Sequence, residues 1–137
     1  MINGKALFAN MKECIKQCLE NGVTVGLGTD TGCPFTTHYD TWRELRYYSK
    51  CIGVSSAFAL HTATLVNAQI AGIDSFTGSL EKGKSADFMV VKENPLADLT
   101  ALRNPVMVAL KGNIIENPQP KKMPEVDTVL DQLYEML

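Results

Sequence analysis

Apolar residues recur at helical spacing between Ala6 and Glu20, where Leu7, Phe8, Met11, Ile15, Cys18 and Leu19 fall on one side. Asn21-Gly22 supplies the stop, because glycine accepts the left-handed backbone that follows a helix. The pattern then changes to Val23-Thr24-Val25-Gly26-Leu27-Gly28. This short run, partly β-branched, predicts a buried strand that ends at Thr29-Asp30-Thr31-Gly32. Helix, tight turn, buried strand and polar loop, in that order, predict an α/β chain with parallel strands.

Cys33 to Tyr39, with Pro34 and several threonines, reads as a loop. Thr41 and Glu44 have the spacing of a capping box, and the helix they predict carries Trp42, Leu45, Tyr48 and Ile52 to a stop at Gly53. A third helix starts at Ser55 or Ser56. A short fourth runs from Leu65 to Ala71, with Thr64 as its predicted cap and Gly72 as its stop. Beyond Asp74 the texture becomes Gly-, Ser- and Lys-rich through Ser85. Three short strands follow at Phe88–Val91, Val106–Leu110 and Ile114–Ile115, the last two joined by a tight turn at Lys111-Gly112-Asn113. The proline-rich stretch Asn117 to Pro124 reads as a linker, and Glu125 to Leu137 as a closing amphipathic helix. There are no internal repeats. These shifts divide the chain into residues 1–74, residues 75–117, and a linker with its helix at 118–137.

The chain has 137 residues, 45% hydrophobic and 20% charged, so it can bury a core and is not disordered by composition. Lys+Arg is 13 and Asp+Glu is 15, a net charge of −2, with no basic run. That balance argues against a nucleic-acid partner held by phosphate neutralisation. No apolar run approaches the ~20 residues of a membrane helix, and the first apolar stretch is interrupted by Lys5, Asn10 and Lys12, unlike a signal peptide. The cysteines Cys14, Cys18, Cys33 and Cys51 contain no Cys-x-x-Cys pair. They read as reduced thiols of a cytoplasmic protein, with Cys14 and Cys18 one turn apart and expected in the core. A cysteine/histidine metal or redox protein is thereby disfavoured.

Asp30 is the sharpest chemical signal. It lies just past the end of an apolar strand, where α/β folds place ligands, and its carboxylate can ligate a cation, act as a base, or simply cap a turn. His38 follows in the same loop, as a substrate contact or a solvated histidine. His61 sits within the third helix and reads as a surface or packed histidine. Tyr39, Trp42, Arg43, Tyr47 and Tyr48 cluster behind the loop. They read either as core aromatics with a solvated arginine or as a substrate wall, in which Arg43 or Arg46 meets a carboxylate. Neither a dinucleotide-binding glycine fingerprint nor a Gly-x-Ser-x-Gly elbow occurs.

Four segments, in order, resemble the C-terminal part of the metal-dependent amidohydrolase superfamily, in its imidazolonepropionase-like and Xaa-Pro dipeptidase-like branch. They are Gly26-Leu27-Gly28-Thr29-Asp30, the stretch from Ala57 to Ala68, the stretch from Gly78 to Phe88, and Lys111-Gly112-Asn113-Ile114. The second is similar to a family pattern ending in Asn-Pro-Ala, here Val66-Asn67-Ala68. The third is similar to a family segment that carries proline where this chain has Lys82. The resemblance implies a (β/α)₈ barrel with a small β-sandwich, and one or two divalent metals, usually zinc. It implies that Asp30 ligates metal and takes the proton of the attacking water, with His38 and the aromatic loop near a small-molecule or peptide-like substrate, where the residue pattern also offers Arg43. The family's His-x-His pair and its later histidines have no counterpart here, and a whole barrel takes ~250 residues.

The expected fold is therefore the C-terminal part of a barrel with part of its sandwich, the barrel incomplete in this chain. The expected function is metal-dependent hydrolysis of an amide or other C–N bond in the full-length enzyme, the chain alone being inactive. The alternative is a non-catalytic fragment acting in binding or assembly. Exposed strand edges predict a homo-oligomer, or association with the missing N-terminal barrel part.

Overall fold

The structure, a computed structural model, describes residues 4–137, so the first three positions of the 1–74 segment lie outside the described residues. Helix α1 spans Gly4–Glu20. It closes as the sequence pattern requires: Gly22 adopts φ +71°, and the Val23 N–H reaches back to the Cys18 carbonyl at 2.8 Å. Helix α2, Thr41–Tyr47, widens into one π-type turn over Tyr48–Ile52 and stops at Gly53 with φ +90°. Helix α3, Ser56–His61, is capped by the Ser55 hydroxyl, which accepts from the Phe58 N–H at 3.1 Å. A second π-type turn, Thr62–Val66, leads without a break into α4, Asn67–Ile70.

Two local expectations change. The N-cap of α2 is Asp40, and no side-chain capping bond forms, so the Thr41–Glu44 box is not made. Thr64 caps nothing. Its hydroxyl donates to the Leu60 carbonyl at 2.7 Å, back-bonding within a continuous helical run.

After α4 the chain builds one antiparallel sheet in the order β1-β2-β3, with β1 Phe88–Val90, β2 Met107–Leu110 and β3 Asn113–Glu116. Lys111 and Gly112 both have positive φ, the geometry that lets two residues reverse a hairpin. A 3₁₀ turn, Leu99–Arg103, bridges β1 and β2, and α5, Pro124–Glu135, closes the fold. The expected parallel strands are absent from the described residues. The predicted strand at Val23–Gly28 takes no regular secondary structure and pairs with no strand among the described residues. A buried parallel strand needs a neighbour on each side, and the described residues supply none.

The core is small. Leu45, Tyr48, Ala59 and Leu99 form its centre, with Ile15, Leu19, Leu27 and Leu102 packed around them. Helix α1 buries no residue fully; Cys14 is exposed and Cys18 half-buried, against the core position expected for both. The accessible surface totals 9431 Å², where a compact monomer of this mass shows about 7,000 Å². The excess is apolar in part, with Leu7, Met11, Phe76, Leu80 and Ile114 among the exposed side chains. Helix and sheet faces of this small α/β fold thus leave apolar side chains in solvent.

Candidate functional site

The site is built on the segment from Val23 to Thr29, between α1 and the Asp30 turn. Its middle is held by one side chain: Asn67, at the start of α4, accepts from the Leu27 N–H at 2.9 Å and donates to the Leu27 carbonyl at 2.9 Å. An amide side chain thus supplies the donor and acceptor that a strand neighbour would supply. Gly26 permits the approach, since a Cβ there would stand 2.8 Å from Asn67 Oδ1 and 2.9 Å from Ile70 Cδ1.

Past Thr29 the backbone turns sharply. Asp30 has φ +50°, a conformation uncommon for a residue with a side chain and tolerated by aspartate. The turn is tied by the Cys33 N–H to the Asp30 carbonyl at 3.3 Å, and by paired hydroxyls of Thr29 and Thr31 at 2.6 Å. The Asp30 carboxylate is exposed and takes a single hydrogen bond, from the Cys33 thiol at 3.3 Å. Cys33 was not singled out as a neighbour of Asp30; the Asp-x-x-Cys spacing across a Gly-containing turn is the signal that places them together.

His38 is exposed and makes no hydrogen bond or ion pair among the described residues. Its neighbour Tyr39 anchors the loop, its hydroxyl accepting from the Met123 N–H at 2.6 Å. His61 is exposed on α3, beside an apolar groove of about 1,040 Å³ between α3–α4 and β1.

Arg43 corrects the substrate-wall reading. It is buried, and its guanidinium is matched by three carboxylates of its own chain: Asp40 at 3.0 Å, Asp127 at 3.3 Å, and Asp131. Burial works against its charge, but Asp131 and Asp40 outweigh that and raise its pKa. Arg103 also holds Asp131, at 3.1 Å. Arg43 and Arg103 both lie over Trp42, and Arg46 and Lys50 lie over the ring of Tyr134. Helix α5 is therefore seated by its polar side, while Val129, Leu133 and Met136 face outward. A buried guanidinium demands carboxylates, and that demand overrides the apolar periodicity of α5.

A small cavity of about 270 Å³ opens where these elements meet, walled by Thr29, Phe35, Thr37, Glu44, Tyr47 and Leu130, with Arg43 at its side. The Thr37 hydroxyl is buried with no hydrogen-bond partner. Among the described residues no group of three or more His, Cys, Asp or Glu side chains is placed to hold a metal ion. Asp30 is a candidate single ligand and not a complete site. No helix of the described residues is long and apolar enough to cross a membrane.

The Gly78–Phe88 stretch has a structural task. Gly78, at φ +91°, lies against α4: a Cβ there would come within 2.5 Å of Ala68 Cβ. Asp87 accepts from the Thr77 hydroxyl at 3.0 Å and from the Lys111 N–H at 2.7 Å, tying this stretch to the β2–β3 turn. These bonds hold its carboxyl below the usual range.

The comparisons with known proteins fall on the same elements. The model of the amidohydrolase family matches residues 9–115. The crystal structure of a Bifidobacterium longum protein assigned as a prolidase superposes with a TM-score of 0.87 and 48% identity, covering 90% of this chain and 30% of that one. The structure of a Xaa-Pro dipeptidase with methionine in its active site gives a TM-score of 0.70 and 32% identity, covering 77% of this chain and 25% of that one. A 5-methylthioadenosine/S-adenosylhomocysteine deaminase of Syntrophus aciditrophicus is 31% identical over 99 residues, 66% of this chain and 22% of the deaminase. The chain thus spans between about a fifth and a third of the length of these relatives. The turn at Asp30, the Asn67 brace on Leu27 and the Gly78–Asp87 tie all lie within the matched stretch, and the chain belongs to the amidohydrolase family.

Proposed function

We propose that this chain is the C-terminal part of a (β/α)₈ barrel hydrolase, with residues 1–74 as its last barrel segment, residues 75–117 as part of its β-sandwich, and residues 118–137 as a linker and closing helix. The reaction we assign to the whole protein is hydrolysis of an amide or related C–N bond in a small-molecule or peptide-like substrate. The observation that carries this reading is Asp30. It is an exposed carboxylate just past the segment that Asn67 braces, and we read that segment as a barrel strand, at whose end such enzymes keep their reacting groups.

Asp30 is the base: it takes a proton from the attacking water, from a turn in which its backbone stands at φ +50°. His38, in the same loop and unengaged, is available to the substrate. Family membership implies a divalent metal, zinc above all, in the whole protein, with Asp30 as one ligand. The described residues supply no complete set, so the remaining ligands would come from outside them. We therefore expect the isolated chain to be inactive. The exposed apolar surface favours a second reading, in which the isolated chain works through association, with its own copies or with the rest of the barrel.

The test is Asp30→Asn in the whole protein, assayed on Xaa-Pro dipeptides and N-acyl amino acids. Loss of turnover by ~10²-fold or more, with an unchanged fold, is the expected outcome for removal of a general base. Activity near that of the unaltered protein refutes the role of Asp30.

A further inference from the structure

The small cavity beside Thr29 has a chemical bias of its own. Its arginine is already matched, because the Arg43 guanidinium is engaged by Asp40, Asp127 and Asp131. Its glutamate is not. Glu44 is half-buried, lines the cavity, and makes no ion pair or side-chain hydrogen bond among the described residues. Burial without a partner pushes its carboxyl up. A second polar group is also unsatisfied there, the Thr37 hydroxyl, which can accept a hydrogen bond. Two aromatic side chains, Phe35 and Tyr47, complete the wall, and aromatic faces attract cations. An anion entering this space would find the arginine occupied and an unpaired carboxylate beside it. A cation bearing N–H donors would satisfy both Glu44 and Thr37.

We propose that this cavity binds a small organic cation, a primary ammonium group on a short carbon chain, with Glu44 as its counter-charge and Thr37 as a hydrogen-bond acceptor. At about 270 Å³ the space is just below the ~300 Å³ at which small-molecule pockets begin, which limits the occupant to about the size of one amino acid. The site includes Leu130 of α5, a residue beyond the 9–115 family match, so the closing helix forms part of its wall. The inference rests on the cavity and not on the hydrolase reading.

The experiment is calorimetric or NMR titration of the whole protein with n-propylammonium, butyrate and n-propanol, three probes of similar shape and different charge. The expected result is saturable propylammonium binding, at least tenfold tighter than that of butyrate or propanol. Glu44→Gln, which keeps the shape, should weaken it tenfold or more, and Leu130→Trp, which fills the cavity, should abolish it in a chain with an unchanged circular dichroism spectrum. Equal binding of the three probes, a preference for butyrate, no saturable binding, or an unaffected Glu44→Gln variant each overturns the proposal.

Discussion

Asn67 does for Leu27 what a neighbouring strand would do. Its side-chain amide meets both the N–H and the carbonyl of Leu27 at 2.9 Å, across 40 positions of sequence. The segment that ends at Asp30 is thereby fixed to α4 without a sheet. Asn67→Ala leaves two half-buried backbone groups unpaired, and should cost about 2–3 kcal/mol. Asn67→Asp restores the acceptor alone and should recover only part of the loss. Denaturant midpoints of the three chains check this.

Gly26→Ala attacks the same contact from the other side. Ile70 is exposed and its methyl can swing away, but Asn67 Oδ1 is held by its bond to Leu27. We expect a loss of about 1–3 kcal/mol, read from urea unfolding, with Gly28→Ala, which meets nothing within 4 Å, close to neutral on the same measure.

Much of this was legible in the sequence, and the reasons differ by element. The Gly22 and Gly53 stops follow from local backbone chemistry, so sequence alone places them; it left the start of α3 between Ser55 and Ser56, and the Ser55 hydroxyl proves to be the cap. The β2–β3 hairpin follows from Lys111-Gly112, whose positive φ values a two-residue reversal needs. The position of Asp30 after a strand-like run was also readable. Arg43 was not, because its three partners come from residue 40 and from α5, more than 80 positions away. Glu44 was read as half of a capping box, since the spacing to Thr41 fits one; the cavity it lines is assembled from four separate segments. The core placement of Cys14 failed because amphipathic spacing shows which face of a helix is apolar, not whether the layer that covers it is present.

Arg43→Met should release α5. The substitution leaves Asp127 and Asp40 buried without a cation, and breaking a buried pair this way costs about 3–5 kcal/mol. Asp131→Asn should cost less, because Asp131 is partly exposed. The clasp also has a direction with pH. Burial raises the Asp131 carboxyl, but Arg43 and Arg103 outweigh it and hold it below its ordinary value. Its contribution is therefore present above the unfolded carboxylate value of ~3.9 and lost as pH falls through the lower folded value. Hydrogen exchange in α5 should rise in that acid range for the unaltered chain, and at neutral pH for Arg43→Met.

Gly78→Ala tests the tie between the sheet and the helices. The added methyl would meet Ala68 Cβ at 2.5 Å and the Leu65 Cα at 3.2 Å, in a backbone conformation with φ +91°. Both faults act together, and we expect at least about 2–3 kcal/mol of destabilisation by thermal or chemical unfolding. A change below 0.5 kcal/mol would show that Gly78 does not sit against α4.

Exposed apolar side chains on α1, β3 and α5 predict association of the isolated chain. Light scattering across a concentration series should show a mass above 15.0 kDa that rises with concentration. A constant monomer mass contradicts this.

As proposed above, this chain is the tail of a barrel enzyme whose Asp30 acts in a site completed by residues outside it. The most direct measurement is the mass of the native polypeptide in its source cells, by immunoblot or intact mass spectrometry. A mass roughly three times 15.0 kDa is predicted, the size of a barrel with its sandwich. A native product of 15.0 kDa would contradict it and leave Asp30 without the rest of its site.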